Sequence, residues 1–556
     1  MKVSQAVVKV IEEWNVPYIY GIPGGQTLYF TEAVKDSKKV EFIPVRQEGT
    51  AAGAADAYGR LTGKPGLCLA TTGPGATNLI TSIGGAFRDS SPMIAFVFQN
   101  TLAGASRGDA QESDHQQLFQ SLVKKYIPIR SSDVAVYAMR EAYRIATTGK
   151  PGPVVVDFYR DVIENGECEY ELLKVENYAV KNTAVPSAQT LEALVNTLNS
   201  YKKIVIWSGN GVKMSHTGNK VVQLAKRLNA PIVTTFNGIS SVPTSEELVL
   251  GARSRHGTKV TRAALEEADC VLVLGSSMSS VSTNRWGLKL KNIVQIDFEA
   301  SQIANQYPVV MGVCAELGQT LDALNKSKKL RNSNTAQDKW TKDILKRQKA
   351  WKKNVFSKEV NDEKATPCAP VAVARKLNEV FKDDEIICCD AGNPGAWTHL
   401  FDYTEKTNYF KPVNFGNMGF SIPAGIGCSM AEPKREVITL IGDGSLGMTL
   451  GDLETVAKYS SKNHIIVVLN DHAYGNIKQE IEFKFGKNME YGVDLKEDVH
   501  YSEVAKAFGI GTCVVEKAED IPAAFEKARK FNGPFMIEIE FDGSYNIWPE
   551  AFCWNE

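Results

Sequence analysis

Nowhere in the 556 residues does an apolar run approach the ~20 positions a membrane-spanning helix needs, which argues against a bilayer span. No CxxC pair occurs among the ten cysteines, so the usual zinc and dithiol-redox signatures are missing. Cys388 and Cys389 are adjacent, and neighbours on a strand point to opposite faces. Such usage fits reduced, mostly buried thiols and a cytoplasmic location. An excess of one charge is also lacking. Lys plus Arg number 63 and Asp plus Glu 64, so nothing in the balance attracts nucleic acid or an anionic membrane. There is no low-complexity tract and no short-period repeat. The opening stretch, MKVSQAVVKVIEEWNV, carries charges throughout an amphipathic helical pattern and is not expected to be a signal peptide.

What is present is a long alternation of short Val/Ile-rich runs with helix-length segments. VEFIPV, GLCLATT, PMIAFVFQ and PVVVDFY fill the first third, KIVIWSG, APIVTTF, CVLVLGSS and NIVQIDF the second, and EIICCDAG, EVITLIGDG, HIIVVLND and PFMIEIEF the last. Continuous apolar strands separated by helices predict parallel sheets covered on both faces. The expected fold class is α/β, with three doubly wound parallel-sheet domains at residues 1–165, 188–326 and 366–545 and a tail at 546–556. The seams fall in charged stretches without a clean period, and the Lys-rich stretch after 326 reads as a solvated helix face.

The sharpest local feature is one strand–helix–strand unit over 437–470. VITLIG ends in Gly442-Asp443-Gly444-Ser445, and IIVVLN ends at Asn470-Asp471. A right-handed crossover places the two strands side by side or nearly so, with their carboxyl ends over one crevice. Asp443 with Asn470 or Asp471 there supplies hard oxygen ligands for Mg2+ or Ca2+. Gly442 and Gly444 permit close backbone approach, and the following helix start at Ser445 favours phosphate. In the first third, Glu48 leads into a helix made largely of Ala and Gly (TAAGAADAYGR). Tightly packed apolar surroundings suit a carboxylate to sharing a proton.

GDGS, the 28 residues from Asp443 to Asp471 and the following Tyr474-Gly475 resemble the signature of thiamine-diphosphate enzymes. The resemblance implies Mg2+ held by Asp443, Asp471 and the carbonyl of Ala473. Counting from Asp443 favours Asn470 as the second ligand, whereas aligning on Tyr474-Gly475 favours Asp471. Asp471 is preferred because insertions belong in loops. FGNMGFSIPAGIG (415–427) is similar to the segment that grips the aminopyrimidine, with Met418 as the wedge beneath the bent cofactor and Gly416 accepting from its amino group. DAGNPGAW would lay Gly392 and Asn393 against the diphosphate, with Tyr474 and Gly475 nearby. Glu48 matches the glutamate that bonds N1′ of the pyrimidine. These relations imply pyrimidine-binding, central and diphosphate-binding domains in that order, and at least a homodimer, with a tetramer compatible.

Among thiamine enzymes the order of blocks most resembles acetolactate synthase. GIPGGQT, which contains Gly25, together with TTGPGATN and GKPGPVVVDFYRDV, matches that family's blocks. In RGDAQESDHQ, Gln111 is placed near substrate, and His115 is the best candidate among the histidines for proton transfer; His256 and His472 read equally well as structural. The implied reaction joins two pyruvates after decarboxylation of one. The alternatives are a simple 2-oxo acid decarboxylase or an oxalyl-CoA decarboxylase/2-hydroxyacyl-CoA lyase-like enzyme. Ala110 replaces a Phe, Met278-Ser279-Ser280-Val281 replaces Phe-Asp-Asp-Arg, and Glu480 replaces a Trp, and together these weigh against FAD. Tyr545, Trp548, Phe552 and Trp554 form an aromatic end segment that reads as packing against the sheet or as a lid.

Overall fold

The computed structural model describes residues 1–179, 184–254, 257–357 and 359–546. His256 and the aromatics Trp548, Phe552 and Trp554 lie outside the described residues, as does all of the tail but Asn546. Three parallel sheets follow one another along the chain, as the apolar runs predict, each with six strands where the runs mark four. Strands such as Met93–Gln99 and His464–Asn470 are buried at every position, which is why they read as continuous apolar runs and not as alternating ones.

The first sheet runs Glu41–Pro44, Tyr18–Gly21, Gly66–Ala70, Met93–Gln99, Pro153–Tyr159, Lys125–Ile129. The last runs Asn408–Phe410, Ile386–Cys389, Val437–Gly442, His464–Asn470, Phe535–Glu540, Gly511–Val515. Numbered within each sheet, both orders are 2-1-3-4-6-5. The central sheet differs. Its strands lie in the order 6-5-4-1-2-3, the arrangement on which dinucleotide-binding folds are built.

The first and last sheets share a core. Ala51, Ala54 and Ala55 of the helix Glu48–Thr62 pack in one cluster with Ile422 and Ile426 of the helix Ser421–Ala431 and with Ile466 and Val468. The near absence of side chains lets the two helices approach closely. A Cβ on Gly53 would lie 2.6 Å from Pro423, and one on Gly427 would lie 2.2 Å from the Ala54 carbonyl. Cys388 and Cys389 face opposite sides of their sheet, in separate clusters.

The Lys-rich stretch is more than a solvated face. Residues Thr335–Phe356 form a helix whose Trp340 and Ile344 sit in the core of the central sheet. Its charges mask an apolar stripe, and Gln337 fastens it to a strand end. Gln337 Oε1 accepts from Ile204 N at 2.6 Å, and its Nε2 donates to Ile204 O and Asn229 O, both at 3.1 Å. Gln337→Ala leaves these buried backbone groups unpaired and should cost about 2–3 kcal/mol, read calorimetrically as a lowered transition of the central domain. An unchanged transition would refute this anchoring.

Candidate active site

In the last sheet Val437–Gly442 lies beside His464–Asn470, with Gly442 opposite Leu469, and on its other side beside Ile386–Cys389. Chain order reverses between Ile386–Cys389 and Val437–Gly442, and the carboxyl ends at such a switch point are where open α/β sheets hold ligands. A cavity of about 330 Å³ opens there. Gly392, Asn393, Gly416 and Met418 line it, as do Gly442, Asp443, Gly444 and Ser445 and the loop residues Asp471, Ala473, Tyr474 and Gly475. The last-third residues expected to hold the cofactor, with Asp443, Asp471 and Ala473 expected at the metal, thus converge on one space.

Within it stands a pair of acids. Asp443 is 2 % exposed, and its Oδ2 is buried without a hydrogen-bond partner among the described residues. Burial and then the charge of Asp471 hold the Asp443 carboxyl well above the ordinary aspartate range, and burial raises Asp471 in the same direction. Two carboxyls facing each other with a bare oxygen in a desolvated crevice are the donor set of a shared hard cation. Asn470 is not available to it. Its Nδ2 donates to Glu538 Oε1 at 3.0 Å, its Oδ1 accepts from His472 N at 3.3 Å, and it does not line the cavity. The backbone around Ala473 is pinned, since Tyr474 N donates to Val493 O and Leu495 N to His472 O, both at 2.8 Å. His472 itself pairs through Nε2 with Glu540 at 3.2 Å. Glycine is required at two points here. A Cβ on Gly475 would lie 1.9 Å from Asp471 Oδ2, and one on Gly444 would lie 2.8 Å from the Tyr474 ring.

The first-third residues sit elsewhere. Glu48 opens its helix, 8 % exposed, and its Oε2 accepts from Asn78 Nδ2 at 2.8 Å. It does not line the cavity of its own chain. The residues around it bind the last domain: Arg46 N and Thr50 Oγ1 donate to Asp452 at 2.8 and 2.6 Å. Gly25 lies in a short 3-10 turn with open space beside it, and Gln111 adopts φ 63 with its carbonyl against Gly73. His115, the histidine expected to transfer a proton, lies inside the first domain. Its ring is fully buried, with Nδ1 at 3.0 Å from Asp157 Oδ2 and Nε2 accepting from Gly73 N at 3.4 Å. Nε2 thus meets the 71–75 loop and Nδ1 the strand Pro153–Tyr159.

Residues 1–118 match the family description thiamine pyrophosphate enzyme, N-terminal TPP binding domain; residues 191–324 match its central domain and 390–539 its C-terminal TPP binding domain. The chain belongs to the thiamine pyrophosphate enzymes. Its curated relatives include a probable acetolactate synthase large subunit of Methanococcus aeolicus, 29% identical with 98% of this chain and 92% of the relative covered. Acetolactate synthase large subunits of Corynebacterium glutamicum (29% identical; 98% and 88% covered) and Lactococcus lactis (28%; 98% and 93%) are similar in the same way. Among the described residues, no helix is long and apolar enough to cross a membrane.

In this thiamine pyrophosphate enzyme the acid pair falls in the C-terminal match and Glu48 in the N-terminal one. Three contributions escape sequence reasoning. Phe236 reaches the cavity from the central domain, as does Val281 of the segment that departs from the family. Asp390, buried at a strand end, accepts from Gly419 N at 3.1 Å and from Ser421 N and Oγ at 2.7 and 2.9 Å, and so sets the segment that carries Met418. Asn78 orients Glu48. The only advance signal for Asp390 is its place at the carboxyl end of EIICC.

Proposed function

We propose that this chain catalyses acetolactate synthesis: thiamine-diphosphate-dependent decarboxylation of pyruvate and joining of the two-carbon remainder to a second pyruvate. The observation that carries the reading is the Asp443–Asp471 pair, with its bare oxygen, at the switch point of the last sheet. Asp443, Asp471 and the Ala473 carbonyl would hold Mg2+ against the cofactor's diphosphate, while Gly392, Asn393 and Ser445 take its oxygens. Met418 and Gly416 would support and bond the aminopyrimidine. When bound, the cofactor supplies a nucleophilic carbon and an electron sink.

The chain's own residues then have defined tasks. Glu48, with Oε2 taken by Asn78, keeps Oε1 to give and take a proton at N1′ of the pyrimidine. Because Glu48 is absent from its own chain's cavity, the reading makes a homodimer the smallest working unit, with Glu48 supplied by a second copy. Phe236, Val281, Val413 and Ile477 give the cavity an apolar wall. A carboxylate set against it loses hydration, which favours its departure as neutral CO2. Val281, where an Arg would be expected by resemblance, fits a small 2-oxo acid and a reaction that proceeds without flavin.

A panel of 2-oxo acids scored for CO2, aldehyde and acetohydroxy acid tests this. Pyruvate should give acetolactate as the main product, with one CO2 released per two pyruvates consumed. Aldehyde alone would reassign the chain as a simple decarboxylase, and turnover restricted to a CoA ester would reassign it as a lyase of that class.

A further inference from the structure

The segment 411–420, which carries Gly416 and Met418, is gripped by the first domain of the same chain. Arg60 Nη1 donates to the Lys411 carbonyl at 3.1 Å, and the Arg60 guanidinium lies over the Phe420 ring at 5.1 Å. Between these ends the contact is so close that a Cβ on Gly84 would lie 2.7 Å from the Phe415 ring, and one on Gly85 would lie 3.0 Å from Asn417. At the centre sits Asp89, 3 % exposed, the last residue of the helix Ile80–Asp89. Its Oδ1 accepts from Asn414 N at 3.1 Å, from Asn414 Nδ2 at 2.7 Å and, from the central domain, from Asn237 Nδ2 at 2.9 Å. Its Oδ2 lies 3.5 Å from Arg60 Nη2.

Local helix energetics do not account for this residue. A carboxylate in the final turn opposes the helix dipole, and burial removes its hydration. Donors from the other two domains offset both costs. One of them, Asn414, stands two residues before Gly416 and four before Met418. Loosening that bond frees the stretch meant to hold the aminopyrimidine while leaving the acid pair untouched.

We propose that Asp89 is a positioning residue: it clamps Asn414 so that Gly416 and Met418 are held in cofactor-binding geometry before the cofactor arrives. The proposal rests on the thiamine diphosphate reading of the last-domain cavity. Asp89 does not line the cavity, and its effect on the cofactor would run only through the backbone of 414–418.

Calorimetric titration with thiamine diphosphate at saturating Mg2+ tests it on Asp89→Ala, Asn414→Ala and Asn237→Ala. Asp89→Ala and Asn414→Ala should each raise the dissociation constant about tenfold or more, as expected for lost bonds to a buried charge. The double variant should fall short of the product of the two. Asn237→Ala, which removes a donor to the same carboxylate from the central domain, should stay within about twofold of the wild type. Turnover at saturating cofactor should change little in Asn414→Ala, splitting cofactor affinity from kcat. Should Asp89→Ala fail to fold, Asn414→Ala and Asn237→Ala decide the matter. Wild-type affinity in Asn414→Ala, or an equal loss in Asn237→Ala, overturns the clamp. Absence of binding by the wild type strikes the cofactor reading itself.

Discussion

Glu48→Gln should leave thiamine diphosphate binding nearly intact while lowering turnover roughly 10²–10⁴-fold, the range over which a positioned acid–base group acts. The substitution is close to isosteric. Glutamine can keep the contact with Asn78 and the 8 % exposure of the site, so the helix start and its packing persist. What it removes is the capacity to accept and return a proton. Cofactor affinity by calorimetry and turnover by CO2 release separate the two effects. Near-normal turnover would refute the role of Glu48, and lost binding would show that its charge serves assembly. Because Glu48 is absent from its own chain's cavity, mixing Glu48→Gln with Asp443→Ala subunits provides a second readout. Hybrid dimers in which one site keeps both native residues should recover activity that neither variant has alone.

The acid pair predicts the second large effect. Asp471→Ala should weaken Mg2+-dependent cofactor binding by about 100-fold or more, beyond what loss of a group merely supporting a metal ligand produces. Asn470→Ala should keep the Mg2+ requirement and instead lower stability by about 1–3 kcal/mol, because its amide serves Glu538 and the His472 backbone. Titrating Mg2+ at fixed cofactor distinguishes them. A steep Mg2+ dependence in Asn470→Ala, with little in Asp471→Ala, would reverse the assignment. Removing Asp471 should also stabilise the metal-free chain near neutral pH, since burial and then the charge of Asp471 raise the cost of ionising Asp443.

The last-third site was legible because its ligands all lie at strand ends, and strand ends are fixed once the apolar runs are read. Gly442-Asp443 and Asp471-Ala473 meet for that reason alone. Asp89 and Asp390 were not legible. An acid at a helix or strand terminus resembles a solvated cap, and only the fold shows that donors from other parts of the chain surround it. The burial of His115 was equally hidden, because its partner Asp157 lies 42 residues on in the chain. The helix Thr335–Phe356 hid its buried stripe under lysines. Phe236 carries no motif, and only the packing of the central domain against the last brings it to the cavity.

The common strand order of the first and last sheets has a consequence for how the chain divides labour. Each sheet owns a gap at the same address, over the ends of its first and third strands. In the last sheet that gap is open and armed with acids. In the first it is flanked by IPGGQT and TTGPGATN, neither of which contains an acid, and the two loops are tied together: Thr71 Oγ1 donates to Gln26 Oε1 at 2.7 Å, and Gly24 lies so near Thr71 that a Cβ would stand 2.5 Å away. One architecture thus appears twice, once as a socket and once as a plug. On the homodimer reading, the acid-free copy serves a neighbour's socket through Glu48, 8 % exposed at its helix start.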